Sequence, residues 1–185
     1  SCPNVRSEDS GSHVMFAHDE NLTDQVIRAT AACGVPRWAK LSPNTDRLVQ
    51  IAGVAHDAGA EAVTLVNTLL AMVLDTDTGL SVLGSGGGGG LSGRAIHPIA
   101  VRAVYDVAAA YPQLPIIGVG GVASGLDAAE FMCAGASAVQ VGTATFAEPR
   151  AAARVTAELV RWAESHGISD WQQVVGIAHR GGIGR

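Results

Sequence analysis

The 185-residue sequence predicts a parallel α/β fold, the C-terminal half of a (β/α)8 barrel. Three observations carry that expectation. Helix-like and short strand-like segments alternate along the chain, an order that implies a parallel sheet with right-handed crossovers. Polar residues and glycines gather just after each strand-like run, at Lys40, Asn67-Thr68, Gly120-Gly121 and Gly142-Thr143. Barrels and open α/β sheets both build their sites there. A whole barrel takes about 250 residues, whereas the chain offers strand-like runs for half of one, plus a possible strand end at Ser1. An open, doubly wound sheet suits the same strand count, and the sequence leaves that alternative open.

Each element follows from local pattern. Residues 21–33 read as an amphipathic helix stopped by Gly34 and Pro36, and Arg37 to Leu41 as a short strand. Thr45 to Ala58 reads as a second helix, with Asp46 in its first turn and Gly59 as its stop. Ala62-Val63-Thr64-Leu65-Val66 is apolar, β-branched and too short for a helix, which predicts a buried strand. Residues 67–91 form an irregular excursion ending in the glycine run 84–90, expected to be a loop. A helix over 98–110, a strand over 115–119, a helix over 126–133, a strand over 138–141 and a long helix over 151–166 follow. These give a partial barrel domain over 1–166. Residues 167–185 are expected to hold a short helix near 170–175 and a disordered Gly-rich tail from Gly181.

Composition narrows the function. Hydrophobic residues make up 48% of the chain and charged residues 16%, enough for a packed core and too little charge for a disordered chain. The net charge of −5, with lysines and arginines scattered singly, offers no footprint for nucleic acid. No apolar stretch predicts a membrane span. The three cysteines, Cys2, Cys33 and Cys133, have the spacing of no metal motif, so no metal site is expected. They fit reduced thiols of a cytoplasmic protein, with Cys33 and Cys133 expected in the core.

Several residues carry chemistry. The glycines after the last two strands, Gly120-Gly121 and Gly142 with Thr143, expose backbone N–H groups at the approach to helices, a pattern for anion binding. The loops after strands seven and eight are the usual phosphate site in barrels, and the alternative is a pair of ordinary tight turns. Lys40 ends an apolar strand, where it would offer a fixed positive charge to an anionic ligand or snorkel at an edge. Asn67 has a donor and an acceptor suited to the amide edge of a heterocycle, or it caps a turn. Cys2 has no histidine at protease-like spacing, but a thiol with a pKa of about 8.5 can serve as a general base.

Taken in order, Ser-Cys-Pro-Asn (1–4), Lys-Leu-Ser-Pro-Asn (40–44), Val-Asn-Thr (66–68), Gly-Gly-Leu-Ser-Gly (89–93), Gly-Val-Gly-Gly-Val (118–122) and Val-Gly-Thr-Ala (141–144) resemble the class 1 dihydroorotate dehydrogenases. Cysteine in the first motif resembles class 1, and the third and fourth motifs look more like its NAD-linked 1B subgroup. The resemblance covers residues 1 to about 165 and implies an FMN-binding barrel. It implies that Cys2 is the base that takes the C5 proton of dihydroorotate, and that Asn4, Asn67 and Thr68 hold the pyrimidine ring. Lys40, Val66 and Gly93 would then contact FMN, and Gly120, Gly121, Gly142 and Thr143 would cradle its phosphate.

The implied activity is oxidation of dihydroorotate to orotate in pyrimidine biosynthesis. Electrons would pass through FMN, and in a 1B enzyme onward to NAD through a partner subunit carrying FAD and an iron–sulfur cluster. The assembly would be a homodimer or a heterotetramer. Ser1-Cys2-Pro3-Asn4 is expected to sit at the tip of the fourth barrel strand, inside a longer enzyme, so that the 185 residues alone would be inactive. A dihydropyrimidine dehydrogenase-like FMN barrel and a non-catalytic half-barrel remain as alternatives.

Overall fold

The computed structural model describes residues 4–6, 13–83 and 88–183. Two short strands, β1 (Asn4–Arg6) and β2 (His13–Met15), pair antiparallel at its start. The Asp19 carboxylate accepts from the Leu22 amide at 2.8 Å and so caps helix α1 (Glu20–Ala29). Then come β3 (Trp38–Lys40), α2 (Leu48–Asp57) and β4 (Ala62–Leu65). An antiparallel ribbon follows, β5 (Leu69–Ala71) with β6 (Gly89–Leu91). The chain continues through α3 (His97–Ala110), β7 (Ile116–Val119), α4 (Gly125–Ala134) and β8 (Ala138–Gln140). A single turn, α5 (Ala144–Ala147), leads into α6 (Ala151–Ser165).

The parallel sheet has the order β3-β4-β7-β8, each strand added on the same side of the one before. A doubly wound sheet would reverse direction at a switch point; this one does not. Helices α2, α3 and α4 pack against the strands. Ala39, Val63, Leu65 and Ile116, which share one face in register, are buried there. On the other face, Trp38 and Lys40 on β3 and Ala138 and Gln140 on β8 are exposed. Singly wound strands with helices on one face are the geometry of a partial (β/α)8 barrel.

One contact fixes how closely a helix approaches the sheet. A side chain at Gly118 would place its Cβ 2.6 Å from Phe131 Cδ1, and Phe131 is fully buried. Glycine in the middle of β7 therefore lets the α4 aromatic ring lie directly on the strand. At the far end of α4, Arg154 of α6 donates to Ala123 O at 3.2 Å and to Glu158 at 2.9 Å, while Glu158 accepts from the Gly125 amide at 2.8 Å. This network ties α6 to the turn before α4.

Three expectations are corrected. The excursion over 67–91 contains the β5–β6 ribbon; Gly90 reads as a loop residue, yet a side chain there would collide with Thr68, so the close approach requires glycine. Cys33 is exposed in a 3-10 turn after α1, its thiol donating to Val35 O at 3.3 Å, because the helix ends four residues before the cysteine. The tail from Gly181 is held as far as the Gly182 amide, which donates to Ile177 O at 3.1 Å. Before it come two 3-10 turns (Trp171–Gln173 and Ile177–Arg180), the second of which docks on α4 through Gly176 N to Met132 O at 2.9 Å and His179 Nε2 to Ala134 O at 3.0 Å. Among the described residues no helix is long and apolar enough to cross a membrane.

Candidate functional site

Parallel strands all end on one side, and here their C-terminal ends open into a cleft of about 540 Å³. Lys40 is the last residue of β3; Val66, Asn67 and Thr68 directly follow β4; Gly93 precedes α3; Gly120 and Gly121 follow β7; Gly142 and Thr143 follow β8. All of these line the cleft. Asn4 lies in β1, outside the described side chains, and Cys2 lies outside the described residues.

Lys40, Asn67 and Thr68 mark one wall, the glycine loops the other. Gly121 has φ +70°, and a Cβ there would lie 2.8 Å from Gly93 O and 2.8 Å from His97 Cβ. The two loops therefore touch backbone to backbone, which only glycine permits. Thr143 Oγ1 donates to Ser92 Oγ at 2.9 Å and joins the third loop to the first. Nothing lies within 4 Å of a Cβ added at Gly142, so packing does not dictate glycine there. The amides of Gly121, Gly142 and Thr143 donate to no backbone carbonyl among the described residues. Amides without backbone acceptors at the edge of a cleft are a donor set suited to an anion such as a phosphate.

The opposite wall is braced from below. Ser42, fully buried, accepts from the Asn44 amide at 3.2 Å and from Asn44 Nδ2 at 3.1 Å. With both acceptor positions filled, its hydroxyl proton points to His18 Nε2 at 2.8 Å. Burial pushes the His18 imidazole down, consistent with a neutral ring accepting at Nε2. Asn44 also donates to Thr68 O at 2.9 Å and accepts from the Leu70 amide at 2.8 Å, which fixes the loop carrying Asn67 and Thr68.

Sequence reasoning missed Arg154 and Glu148, which line the cleft from α6 and from the turn before it. The i,i+4 spacing of Arg154 and Glu158 was legible as a helix-surface pair. Nothing in the local pattern says that the guanidinium reaches back to the turn after β7. It is paired to Glu148 at 2.8 Å as well as to Glu158, and these carboxylates push its ionisation further up.

Asp127 caps α4 from within, accepting from the Ala123 amide at 2.9 Å and the Ser124 hydroxyl at 2.9 Å. Burial opposes its ionisation, but these hydrogen bonds, with His97 and Arg94 nearby, outweigh it and hold the carboxyl below its usual range. A depressed carboxylate contributes stability above the unfolded value of about 3.9 and loses it as pH falls through the folded value. Thermal midpoints should therefore drop below about pH 4, and Asp127→Asn should be less stable at neutral pH with a shallower acid limb. Parallel acid limbs in the two proteins would remove Asp127 from that dependence.

Comparison with known proteins agrees with this layout. The family model described as dihydroorotate dehydrogenase matches residues 1–162. The dihydroorotate dehydrogenase B (NAD(+)) catalytic subunit of Geobacter sulfurreducens is 43% identical over 177 residues, covering 95% of this chain and 56% of that protein. Its counterpart in Desulforudis audaxviator is 45% identical over 183 residues, covering 98% of this chain and 58% of that one. The chain thus spans about half the length of the curated relatives it matches. Among solved structures, the enzyme from Eimeria tenella in complex with ferulenol superposes with a TM-score of 0.64 at 33% identity, covering 77% of this chain and 38% of that one. A match over 162 of 185 residues, on a singly wound parallel sheet with its cleft at the strand C-termini, places the chain in the dihydroorotate dehydrogenase family.

Proposed function

We propose that the protein to which this chain belongs oxidises dihydroorotate to orotate in pyrimidine biosynthesis, with FMN held in the cleft. The observation that carries the reading is the pairing of Lys40, Asn67 and Thr68 on one wall with the amides of Gly121, Gly142 and Thr143 on the other. FMN, when bound, supplies the acceptor for hydride leaving dihydroorotate C6. The Gly120-Gly121 and Gly142-Thr143 backbones would hold its phosphate, and Val66 and Gly93 would line the cofactor. Lys40 places a fixed positive charge where the reduced flavin is anionic. Asn67, Thr68 and Asn4 orient the pyrimidine through donors and acceptors that match its amide edges. Cys2 takes the proton from C5.

The purified protein should retain FMN and lose its visible flavin absorbance when dihydroorotate is added without oxygen. A colourless protein, or one whose flavin is untouched by dihydroorotate, would refute the assignment.

The electron acceptor is proposed to be NAD, reached through a partner subunit. The relatives from Geobacter and Desulforudis are named as NAD-linked B catalytic subunits, which supports this. An iron–sulfur cluster generally needs four thiolates, and the three cysteines of these residues are scattered; the cluster and FAD are proposed to belong to the partner. A relative from Solibacter usitatus, 45% identical, carries the name of the fumarate-linked A enzyme, which favours direct reoxidation by fumarate as the second reading. Rapid reoxidation of the reduced protein by fumarate alone selects the second reading; dependence on a flavin/iron–sulfur subunit selects the first. A homodimer, or a heterotetramer with that subunit, in the cytoplasm is the assembly proposed.

A further inference from the structure

His97 opens α3 and sits between the loop of Gly93 and the turn of Gly120-Gly121. Its Nδ1 lies 2.9 Å from Gly120 O, and its Nε2 lies 3.1 Å from a carboxylate oxygen of Glu130. A carbonyl oxygen and a carboxylate can only accept, so both contacts are satisfied only if each ring nitrogen carries a hydrogen. The ring that fits both partners is therefore an imidazolium.

The His97 side chain is only 11% exposed, and a second carboxylate, Asp127, stands 4.0 Å from Nε2. The ring meets Phe131 edge-on, with centroids 5.0 Å apart and planes at 90°. The charged groups facing it are Asp127 and Glu130 from α4 and Arg94 from the turn before α3, which is drawn to Asp127 at 3.7 Å. Two carboxylates thus oppose one guanidinium.

The other end of the contact reaches the cleft. In a trans peptide the carbonyl of one residue and the N–H of the next point in opposite directions. With the Gly120 carbonyl held by His97, the Gly121 N–H is directed to the side away from His97, and it donates to no backbone carbonyl among the described residues. We propose that His97 is a positioning residue for the phosphate cradle: its imidazolium fixes the Gly120–Gly121 peptide so that the Gly121 amide faces the bound phosphate, and adds a positive charge behind it. The cradle half of this inference rests on the FMN reading above; the imidazolium half does not.

Two measurements on the intact protein test the halves separately. The 15N spectrum of the His97 ring should show both nitrogens protonated at pH 7, and a ring with one bare nitrogen there overturns the clamp. For the cradle, FMN and riboflavin affinities are compared at about pH 7, where the flavin phosphate is close to a dianion. The preference for FMN over riboflavin should be about fivefold smaller in His97→Gln than in wild type. Should His97→Gln fail to fold, Glu130→Gln, at an exposed position, should lower the same preference. An equal preference in wild type and variant overturns the cradle role. Failure of both flavins to bind would sink the cofactor reading and the cradle with it, while the ring spectrum still decides the clamp.

Discussion

Replacing Cys2 with serine is expected to slow flavin reduction by dihydroorotate by about 10²–10⁴-fold at neutral pH, the range a positioned general base contributes. FMN should remain bound, because the residues assigned to it line the cleft and lie far from Cys2 in the sequence. A thiol ionises near pH 8.5 in isolation and can be tuned toward neutrality, whereas a serine hydroxyl is a far weaker base. The variant should regain part of its rate as pH rises and solvent base takes over. Stopped-flow bleaching with dihydroorotate measures this directly. Unchanged kinetics at pH 7 would take Cys2 out of the mechanism.

Truncating Phe131 to alanine is expected to cost about 3–5 kcal/mol of folding stability, the usual price of deleting a buried aromatic ring. Phe131 is fully buried, lies on the β7 backbone at Gly118 and meets the His97 ring edge-on. Against a typical net stability of 5–15 kcal/mol, the loss is large enough to read in a denaturant titration. The cavity also removes the wall behind His97, so the variant should release FMN more readily than wild type even where it remains folded. A cost below about 1 kcal/mol would mean that the neighbouring helices collapse onto the space.

Much of this was legible in the sequence because parallel α/β units announce themselves locally. The runs at Val63–Leu65 and Ile116–Val119 are buried, β-branched and bounded by turn residues, and both are strands. The residues that follow them reach the cleft because every parallel strand ends on the same side. The choice of a barrel over a doubly wound sheet came from the ordered motifs and not from local pattern: it depends on which edge each new strand joins, a long-range decision that no window of residues records. The ribbon hid for another reason. Gly89 and Gly90 have the weakest strand propensity, and only the collisions that side chains would make, with Leu83 at Gly89 and with Thr68 at Gly90, explain their presence. The part of the site on α6 stayed hidden because Arg154 reads as an ordinary solvated helix residue until its partner Ala123 is seen.

Asn44 shows how two separate stretches of sequence become one mechanical part. Where β4 ends and ordinary ladder pairing stops, the Asn44 side-chain amide takes the place of a neighbouring strand, offering its N–H to Thr68 and its oxygen to Leu70. The Lys-Leu-Ser-Pro-Asn and Val-Asn-Thr segments are thereby spliced. The spacing of Lys40 and Asn67 along one wall of the cleft follows from this splice. Exchanging either segment alone would break the splice; transplanting the two together would carry the geometry with them.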